Sequence, residues 1–168
     1  MITYNNQSVR RQDRLLDEER ALELLREAEY GVLSMVDADG QPYGIPVNFV
    51  WDGADSLYVH CAPEGRKLRA IRHCAEVSFC VVGRVHLLPS QFTTEYESVV
   101  LRATATVCQS DEERRKALRL LLQKLSPNDM EKGLRYTEHS LPRTAIIRLH
   151  ILEMSGKQKR VGKKNFKN

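Results

Sequence analysis

One stretch of the chain combines residue types that bind anions. Residues 57–72 read LYVHCAPEGRKLRAIR, in which an alternating strand pattern leads through a Pro/Gly turn into a helix pattern that begins with Arg66 and Lys67. Backbone N–H groups are free at the start of a helix, and Gly65 with two cations would add to them, so the segment predicts a site for a phosphate group. The alternative is that both basic side chains are simply solvated, as charge runs on surface helices commonly are.

His60 lies near the end of the same strand pattern and is the candidate for acid–base chemistry. If Val59 and Cys61 point into a core, the alternation of a strand turns His60 to the opposite face, beside the turn that leads to the anion site. An imidazole that titrates near neutral pH suits proton transfer. The alternative is a strand histidine whose ring is satisfied by a neighbouring backbone carbonyl.

The remaining cysteines and histidines show no metal or redox pattern. The four cysteines include no C-x-x-C pair, and His73, His86, His139 and His150 are scattered singly without an H-E-x-x-H motif. Acidic pairs occur on helices, where they are solvated, and none is placed for hydrolysis. We therefore expect neither a metal site nor a hydrolase.

The net charge of +4 comes from the end of the chain. Residues 157–168 carry six of the 26 Lys and Arg residues and no acid, so 20 basic residues face 22 acidic ones in the rest of the chain. A protein that follows a nucleic-acid backbone should be basic over its folded surface. The distribution therefore disfavours nucleic acid as a partner and indicates a solvated tail or a basic rim over an anionic site.

The hydropathy pattern shows neither a leader nor a membrane segment. The first residues, MITYNNQSVRRQDR, are polar, and no apolar run approaches the roughly 20 residues of a membrane helix. With unpaired cysteines as well, the sequence predicts a cytoplasmic protein that does not bind a membrane.

Hydrophobic periodicity predicts a helix and then a series of strands around these residues. Asp17 is a predicted N-cap for an amphipathic helix over residues 18–28. Residues 32–36 form a predicted strand, and residues 43–51 alternate as another, in which Pro46 marks an edge or a bulge. Further alternations lie at residues 57–61, 77–81, 99–107 and 145–151.

Two more helices are predicted in the second half of the chain. Ser110 and Glu113 form a capping-box pattern that opens a helix with one apolar face, made of Leu118, Leu121, Leu122 and Leu125. Ser126-Pro127 ends this helix and begins a second, shorter one. Because the strands and helices do not strictly alternate, the pattern favours an α+β protein with an antiparallel split β-barrel and peripheral helices.

The same pattern indicates one domain. Residues 17–156 contain no linker and no repeat, so we expect them to form the barrel domain, with a polar N-terminal arm at residues 1–16 and a basic C-terminal tail at residues 157–168.

Several segments, in order, resemble the pyridoxamine-phosphate-oxidase-related FMN-binding family, and in particular its nitroimidazole-resistance (Nim-like) branch. They are RLLDEERALELLREAEYGVLSMVDADGQPYGIPVNFVWDG, LYVHCAPEGRKLRAIRHCAEVSFCVVG, FTTEYESVVLRATATV and LPRTAIIRLHILEMSGK. The resemblance extends over most of residues 12–157. It implies a split barrel, a homodimer, and FMN bound in a cleft between the subunits.

The resemblance also implies which residues contact the flavin. Three groups would do so: the strand residues Val47, Asn48 and Phe49, the strand end His60, Cys61 and Ala62, and the phosphate-binding Gly65, Arg66 and Lys67. Arg66 departs from the family pattern, because many Nim-like sequences have histidine there. Ser98 shares a strand face with Arg102 and Thr104, which is either solvated or a dimer seam beside the flavin; we favour the seam.

Three classes of function follow from these features. The first is an FMN-dependent oxidoreductase that takes electrons from a nicotinamide and passes them to a small acceptor such as a nitroaromatic, with His60 as the catalytic residue. The second is a module that holds FMN, haem or a deazaflavin without turnover. The third, a nucleic-acid binder, is disfavoured by the charge distribution. Pyridoxamine phosphate oxidase activity itself is not indicated, because the short basic tail lacks the Trp- and Arg-bearing substrate segment of that enzyme.

Overall fold

The structure is a computed structural model that describes residues 2–161. The helices are α1 (Glu18–Glu27), α2 (Arg66–His73), α3 (Asp111–Leu125) and α4 (Met130–Ser140). The strands are β1 (Thr3–Tyr4), β2 (Tyr30–Val36), β3 (Pro42–Asn48), β4 (Val50–Trp51), β5 (Ser56–Cys61), β6 (Glu76–Leu88), β7 (Thr93–Val107) and β8 (Ala145–Lys159). Within residues 2–161, no helix is both long and apolar enough to cross a bilayer.

The strands form one sheet that curls on itself. Its order is β3-β2-β6-β7-β8-β5-β4, with every neighbouring pair antiparallel, and β1 adds to β8 in parallel. The two ends of this order, β3 and β4, are separated in the chain by Phe49 alone, so the sheet must bend round until its ends meet. The predicted α+β class with an antiparallel split barrel is therefore confirmed.

The barrel core is filled by alternate residues of the long strands. Phe49 and Phe79 are fully buried, and their rings meet edge to face with centroids 5.0 Å apart. Helix α1 adds Leu24 and Leu25 to this core, as its periodicity predicted, and Asp17 caps the helix by accepting a 2.8 Å hydrogen bond from the backbone N–H of Arg20. The alternation that was read from the sequence thus marks the inward face of the sheet.

Four strand predictions needed adjustment. The strands predicted at residues 77–81 and 99–107 are longer, because β6 runs to Leu88 and β7 begins at Thr93. The predicted single strand at residues 43–51 is divided at Phe49. The part before it, β3, pairs with β2, whereas Val50 and Trp51 form β4, which pairs with β5 at the other end of the sheet order and packs against α1 and α3, so that both residues are buried. The last strand extends well past residue 151, to Lys159. Pro46 does lie in an edge strand, where its missing N–H costs no ladder bond.

The two segments outside the predicted barrel domain contact β8. In the N-terminal segment, β1 pairs with Glu153 and Met154, and the hydroxyl of Tyr4 donates a 2.5 Å hydrogen bond to the carbonyl of Leu16. Residues 157–159 of the predicted tail belong to β8, whereas residues 162–168 lie outside the described part of the chain. The domain boundaries themselves stay a prediction.

Helices α3 and α4 form a hairpin that packs against β4 and β5. A second, smaller core joins the hairpin to the barrel and includes Tyr58, Ala117 and Ile146. Ser110 accepts a hydrogen bond from the backbone N–H of Glu113, as the capping pattern predicted. The Glu113 carboxylate accepts hydrogen bonds from the Tyr58 hydroxyl at 3.3 Å and from Arg148 Nη1 at 3.2 Å, which fixes the start of α3 to the sheet.

Candidate functional site

A cavity of about 620 Å³ lies where the end of β5 and the start of α2 face the α3–α4 hairpin. Four of its residues come from the first side: His60, Cys61, Ala62 and Lys67. Four come from the apolar face of α3: Leu118, Leu121, Leu122 and Leu125. The others are Ser126, Tyr136, Thr137, Ser140, Arg143 and Thr144. A volume of this size lies in the range of roughly 300–1,000 Å³ that is usual for sites of small molecules and cofactors.

The charge of this cavity is positive. Two of its lining residues, Lys67 and Arg143, are cations, and none is a carboxylate. Within residues 2–161, neither cation takes part in an ion pair. Since most of the other lining atoms are apolar, these two groups are the natural partners for an anionic ligand.

The imidazole of His60 faces this positive charge. Although its ring is partly open to solvent, burial by the surrounding protein atoms lowers the pKa of His60, and the charge of Lys67 lowers it further. His60 is therefore neutral at pH 7, with one ring nitrogen as a donor and the other as an acceptor. Burial raises the pKa of the neighbouring Cys61 thiol, which keeps it protonated.

The predicted pair Arg66 and Lys67 is divided by the fold. Arg66 points to the turn between β2 and β3, where its Nη2 donates a 2.7 Å hydrogen bond to Asp37 and its guanidinium lies 4.3 Å from the ring centroid of Tyr43. This hydrogen bond is the main cause of the lowered pKa of Asp37. Only Lys67 of the two lines the cavity.

Gly65 sits where a side chain would be strained. Its φ of 144° lies in the region that favours glycine, and it is the N-cap of α2 without a side-chain cap in the described chain. The first turn of α2 thus has backbone N–H groups without a side-chain cap beside Lys67, where the sequence pattern predicts an anion site; that site stays a prediction.

Asn48, one of the three strand residues expected beside the flavin, lines a neighbouring cavity. Asn48 lines a space of about 410 Å³ with Lys124 and Leu125, and its amide donates a 2.9 Å hydrogen bond to the carbonyl of Glu29. Leu125 lines both cavities, so the two spaces adjoin. Phe49 is buried in the core, and Val47 is half-buried and packs against the same core. A ligand could therefore contact only the backbone groups of these two residues.

Ser98 is not brought to the cavity of its own chain. It lies on the outward face of β7, in register with Val82 of β6 and Lys157 of β8. The neighbouring side chains Val82 and Val100 on this face are exposed.

Lys124 was not anticipated from the sequence. Its ammonium lies 4.0 Å from the ring centroid of Phe49 and donates a 3.2 Å hydrogen bond to the carbonyl of Leu25. Burial lowers the pKa of Lys124 to about 8. No feature of the sequence around Lys124 predicts this contact, because a lysine near the end of an amphipathic helix is ordinarily solvated.

Arg143 and the leucine face of α3 were also missed as site residues. The leucine spacing predicted a buried helix face, and that face is in fact shared between the small core and the cavity, with Leu121 buried and Leu118, Leu122 and Leu125 half-buried. A ligand-facing apolar stripe has the same period as a core-facing one, so periodicity does not separate them.

Comparison with known proteins identifies a matching family model and solved structures of similar fold. The family model described as pyridoxamine 5'-phosphate oxidase matches residues 17–158. A search of the curated proteins finds no match.

Three solved structures illustrate the similarity of fold. A FAD and heme binding protein from Mycobacterium smegmatis has a TM-score of 0.77 at 22% identity, over 89% of this chain and 75% of that one. The flavocytochrome Anf3 from Azotobacter vinelandii has a TM-score of 0.72 at 23% identity, over 86% and 68%. A protein described as a 5-nitroimidazole antibiotic resistance protein, from Bacteroides thetaiotaomicron, has a TM-score of 0.70 at 21% identity, over 86% of each chain.

Proposed function

We propose that this chain, which belongs to the pyridoxamine 5'-phosphate oxidase family, binds FMN in the 620 Å³ cavity and acts as a flavin-dependent oxidoreductase. A nicotinamide would be the electron donor, and a small molecule such as a nitroaromatic would be the acceptor. The observation that carries the proposal is the cavity itself, which has two unpaired cations, no lining carboxylate and an apolar wall.

The residues present fit a flavin mononucleotide. Lys67 and the free N–H groups at the start of α2 would hold the phosphate, since an ammonium and helix N-terminal donors both favour phosphate oxygens. The leucine face of α3 and Ala62 offer apolar contacts to a flat ring system. Asn48 lines the adjoining cavity, and its side-chain amide would donate a hydrogen bond to a carbonyl of the flavin ring.

The bound flavin would supply the electron transfer, and the protein would hold and tune it. His60, neutral and at the cavity wall, is placed to donate a proton to the acceptor or a hydrogen bond to a flavin carbonyl. The leucines would exclude water from the reacting face. Cys61, with its raised pKa, would act as an apolar contact rather than as a nucleophile.

The similar structures give the proposal its context. One of those proteins is named a flavocytochrome, and another is named a FAD and heme binding protein. The third is described as a 5-nitroimidazole antibiotic resistance protein. We place this chain in the nitroimidazole-resistance branch of its family on the sequence segments given above. FMN rather than FAD is proposed because one phosphate group matches Lys67, the one residue of the pair Arg66 and Lys67 that lines the cavity.

A homodimer is part of the proposal. The hairpin of β6 and β7 exposes Val85, Leu87 and Phe92, and Phe92 is 97% exposed with a φ of 51°. Such apolar side chains rarely remain in water when a symmetric partner is available to bury them. A second copy would cover this face and bring Ser98 to a shared flavin cleft; a monomer in light scattering that still holds one FMN per chain would overturn this part.

Haem is the second candidate ligand. The neutral imidazole of His60 is the common protein ligand for haem iron, and Lys67 and Arg143 would suit the propionates. A haem complex would show a Soret band, whereas a flavin complex would not.

The test is a titration of the flavin-free protein with FMN and with riboflavin, followed by reduction of the loaded protein with NADH or NADPH. We expect FMN to bind more tightly than riboflavin and the bound flavin to bleach on reduction. Failure of both flavins to bind would refute the proposed function.

A further inference from the structure

We infer that Arg143 binds an anionic group of the substrate, so that the acceptor of this protein is an amphipathic anion, a carboxylate or a phosphate monoester on an apolar body. The inference rests on the proposed function, because it assigns FMN to the Lys67 end of the cavity. It concerns a residue that lies outside every flavin contact named above.

The turn that carries Arg143 is fixed in place. This turn, Leu141–Arg143, connects α4 to β8. The guanidinium of Arg114 donates hydrogen bonds to the carbonyl of Leu141 and, at 2.7 Å, to that of Thr144, and it also pairs with Asp111 at 2.7 Å. The backbone on either side of Arg143 is thereby tied to α3, which is how a binding side chain is presented from a rigid support.

Arg143 itself has no protein partner for its charge. It takes part in no ion pair or side-chain hydrogen bond within residues 2–161, although its neighbours Arg114 and Arg115 on the same side of the fold both pair with carboxylates. Arg143 is an exposed residue of the cavity lining, so its charge is solvated until an anion that enters the cavity offers it a charge-assisted hydrogen bond.

The number of anionic groups on FMN leaves Arg143 without a role in flavin binding. FMN brings one phosphate group, and Lys67 with the start of α2 accounts for it. Lys67 and Arg143 come from different elements, the first from α2 and the second from the turn after α4. The second cation therefore remains available after the flavin is bound, and a second anionic group is the chemistry that matches it.

Tyr136, which lines the same cavity, indicates the rest of the ligand. It is 63% exposed, and no flavin contact is assigned to it above. An aromatic body would lie against Tyr136 while its anionic group reached the guanidinium. A fork of N–H donors suits both carboxylate and phosphate, so the two are tested separately.

The experiment titrates the FMN-loaded protein with three probes of one shape: 2-naphthoate, 2-naphthyl phosphate and the neutral 2-naphthamide. Calorimetry and the change in the flavin absorption spectrum report binding. We expect at least one anion to bind roughly 10- to 150-fold more tightly than the amide, the range for one charge-assisted contact. The better of the two anions identifies carboxylate or phosphate as the substrate group.

Variants assign the effect to Arg143. In Arg143→Gln the preference for the anion should disappear while FMN affinity is kept. Arg119→Gln removes an exposed arginine of α3 that does not line the cavity, and it should keep the preference. Equal binding of anion and amide to the parent protein, or no binding of any probe, would overturn the inference. So would a larger loss of FMN than of riboflavin in Arg143→Gln, because Arg143 would then belong to the phosphate site.

The same titrations distinguish this inference from the proposed function. If FMN does not bind, the proposed function fails, and the three probes are then titrated into the flavin-free protein. An anion preference that Arg143→Gln abolishes would still support the Arg143 site, and equal binding would refute it.

Discussion

Nη2 of Arg66 lies 2.7 Å from Oδ2 of Asp37, whereas the next residue, Lys67, lines the large cavity. Adjacent residues of a helix point about 100° apart, so two neighbouring cations at the start of α2 face different partners. Arg66 ties the helix to the turn between β2 and β3, and Lys67 is left for a ligand. The two residues are therefore expected to differ in their effect on cofactor binding.

Lys67→Ala should weaken FMN binding by roughly 10- to 150-fold, which corresponds to the loss of one charge-assisted hydrogen bond of about 1.5–3 kcal/mol. Riboflavin, which lacks the phosphate, should lose little. Fluorescence titration of both flavins measures the difference, with Arg69→Ala, an exposed arginine of the same helix, as the control. Equal losses for the two flavins would mean that Lys67 acts through folding rather than through the phosphate.

Arg66→Ala should cost much less FMN affinity than Lys67→Ala, because the guanidinium is already bonded to Asp37. In Asp37→Asn the guanidinium is released from its carboxylate, and it becomes available to the phosphate. Arg66→Ala should then weaken FMN more strongly in the Asp37→Asn background than in the parent protein. Additive effects of the two changes, measured in a double-mutant cycle, would contradict the division of roles.

His60→Gln should keep FMN bound while slowing the redox step. A neutral imidazole that donates a proton at the reacting face contributes typically 10²- to 10⁴-fold, and glutamine retains a hydrogen-bonding side chain but does not titrate. FMN content and the rate of flavin turnover are measured together in the same preparation. If FMN content and turnover of an active substrate are both unchanged, His60 has only a structural role.

Lys124 should make stability depend on pH in the alkaline range. Burial lowers its pKa to about 8 from 10.5, so between these values the folded protein has lost a proton that the unfolded chain still holds. The free energy of unfolding of the parent protein, relative to that of Lys124→Met, should therefore rise as the pH increases from about 8 to about 10.5.

Denaturant unfolding at a series of pH values checks this slope. Lys116→Met, which removes an exposed lysine of the same helix, is the control and should show no such rise. A difference between the parent protein and Lys124→Met that stays constant across the range would show that Lys124 is not desolvated in solution.

Much of the barrel could be predicted because the patterns that indicate its strands lie within short stretches of the sequence. The alternation of Val99, Leu101 and Ala103 marks an inward face of β7, and the three residues are fully buried. The position of Pro46 in an edge strand follows from its missing N–H. The start of α2 after Gly65 could be predicted in the same way, because the turn and the helix start are adjacent in sequence, and the anion site there stays a prediction.

The composition of the cavity could not be predicted, because it depends on contacts between distant parts of the chain. Lys67 and Arg143 come to line one cavity only after β5 has paired with β8, which places Cys61 opposite Ala145. Arg66 was expected at the phosphate with Lys67, and its bond to Asp37 depends on how the turn between β2 and β3 folds back. Neither relationship leaves a periodic signal in the sequence.

The visible absorption spectrum of the purified protein, with the bound cofactor released and identified, tests the central claim most directly. We predict the two absorption bands of an oxidised flavin, and FMN as the released molecule in a ratio of one per chain. A Soret band with released haem, or a protein that is colourless and stays so when FMN is added, would contradict the claim that this cavity is a flavin site.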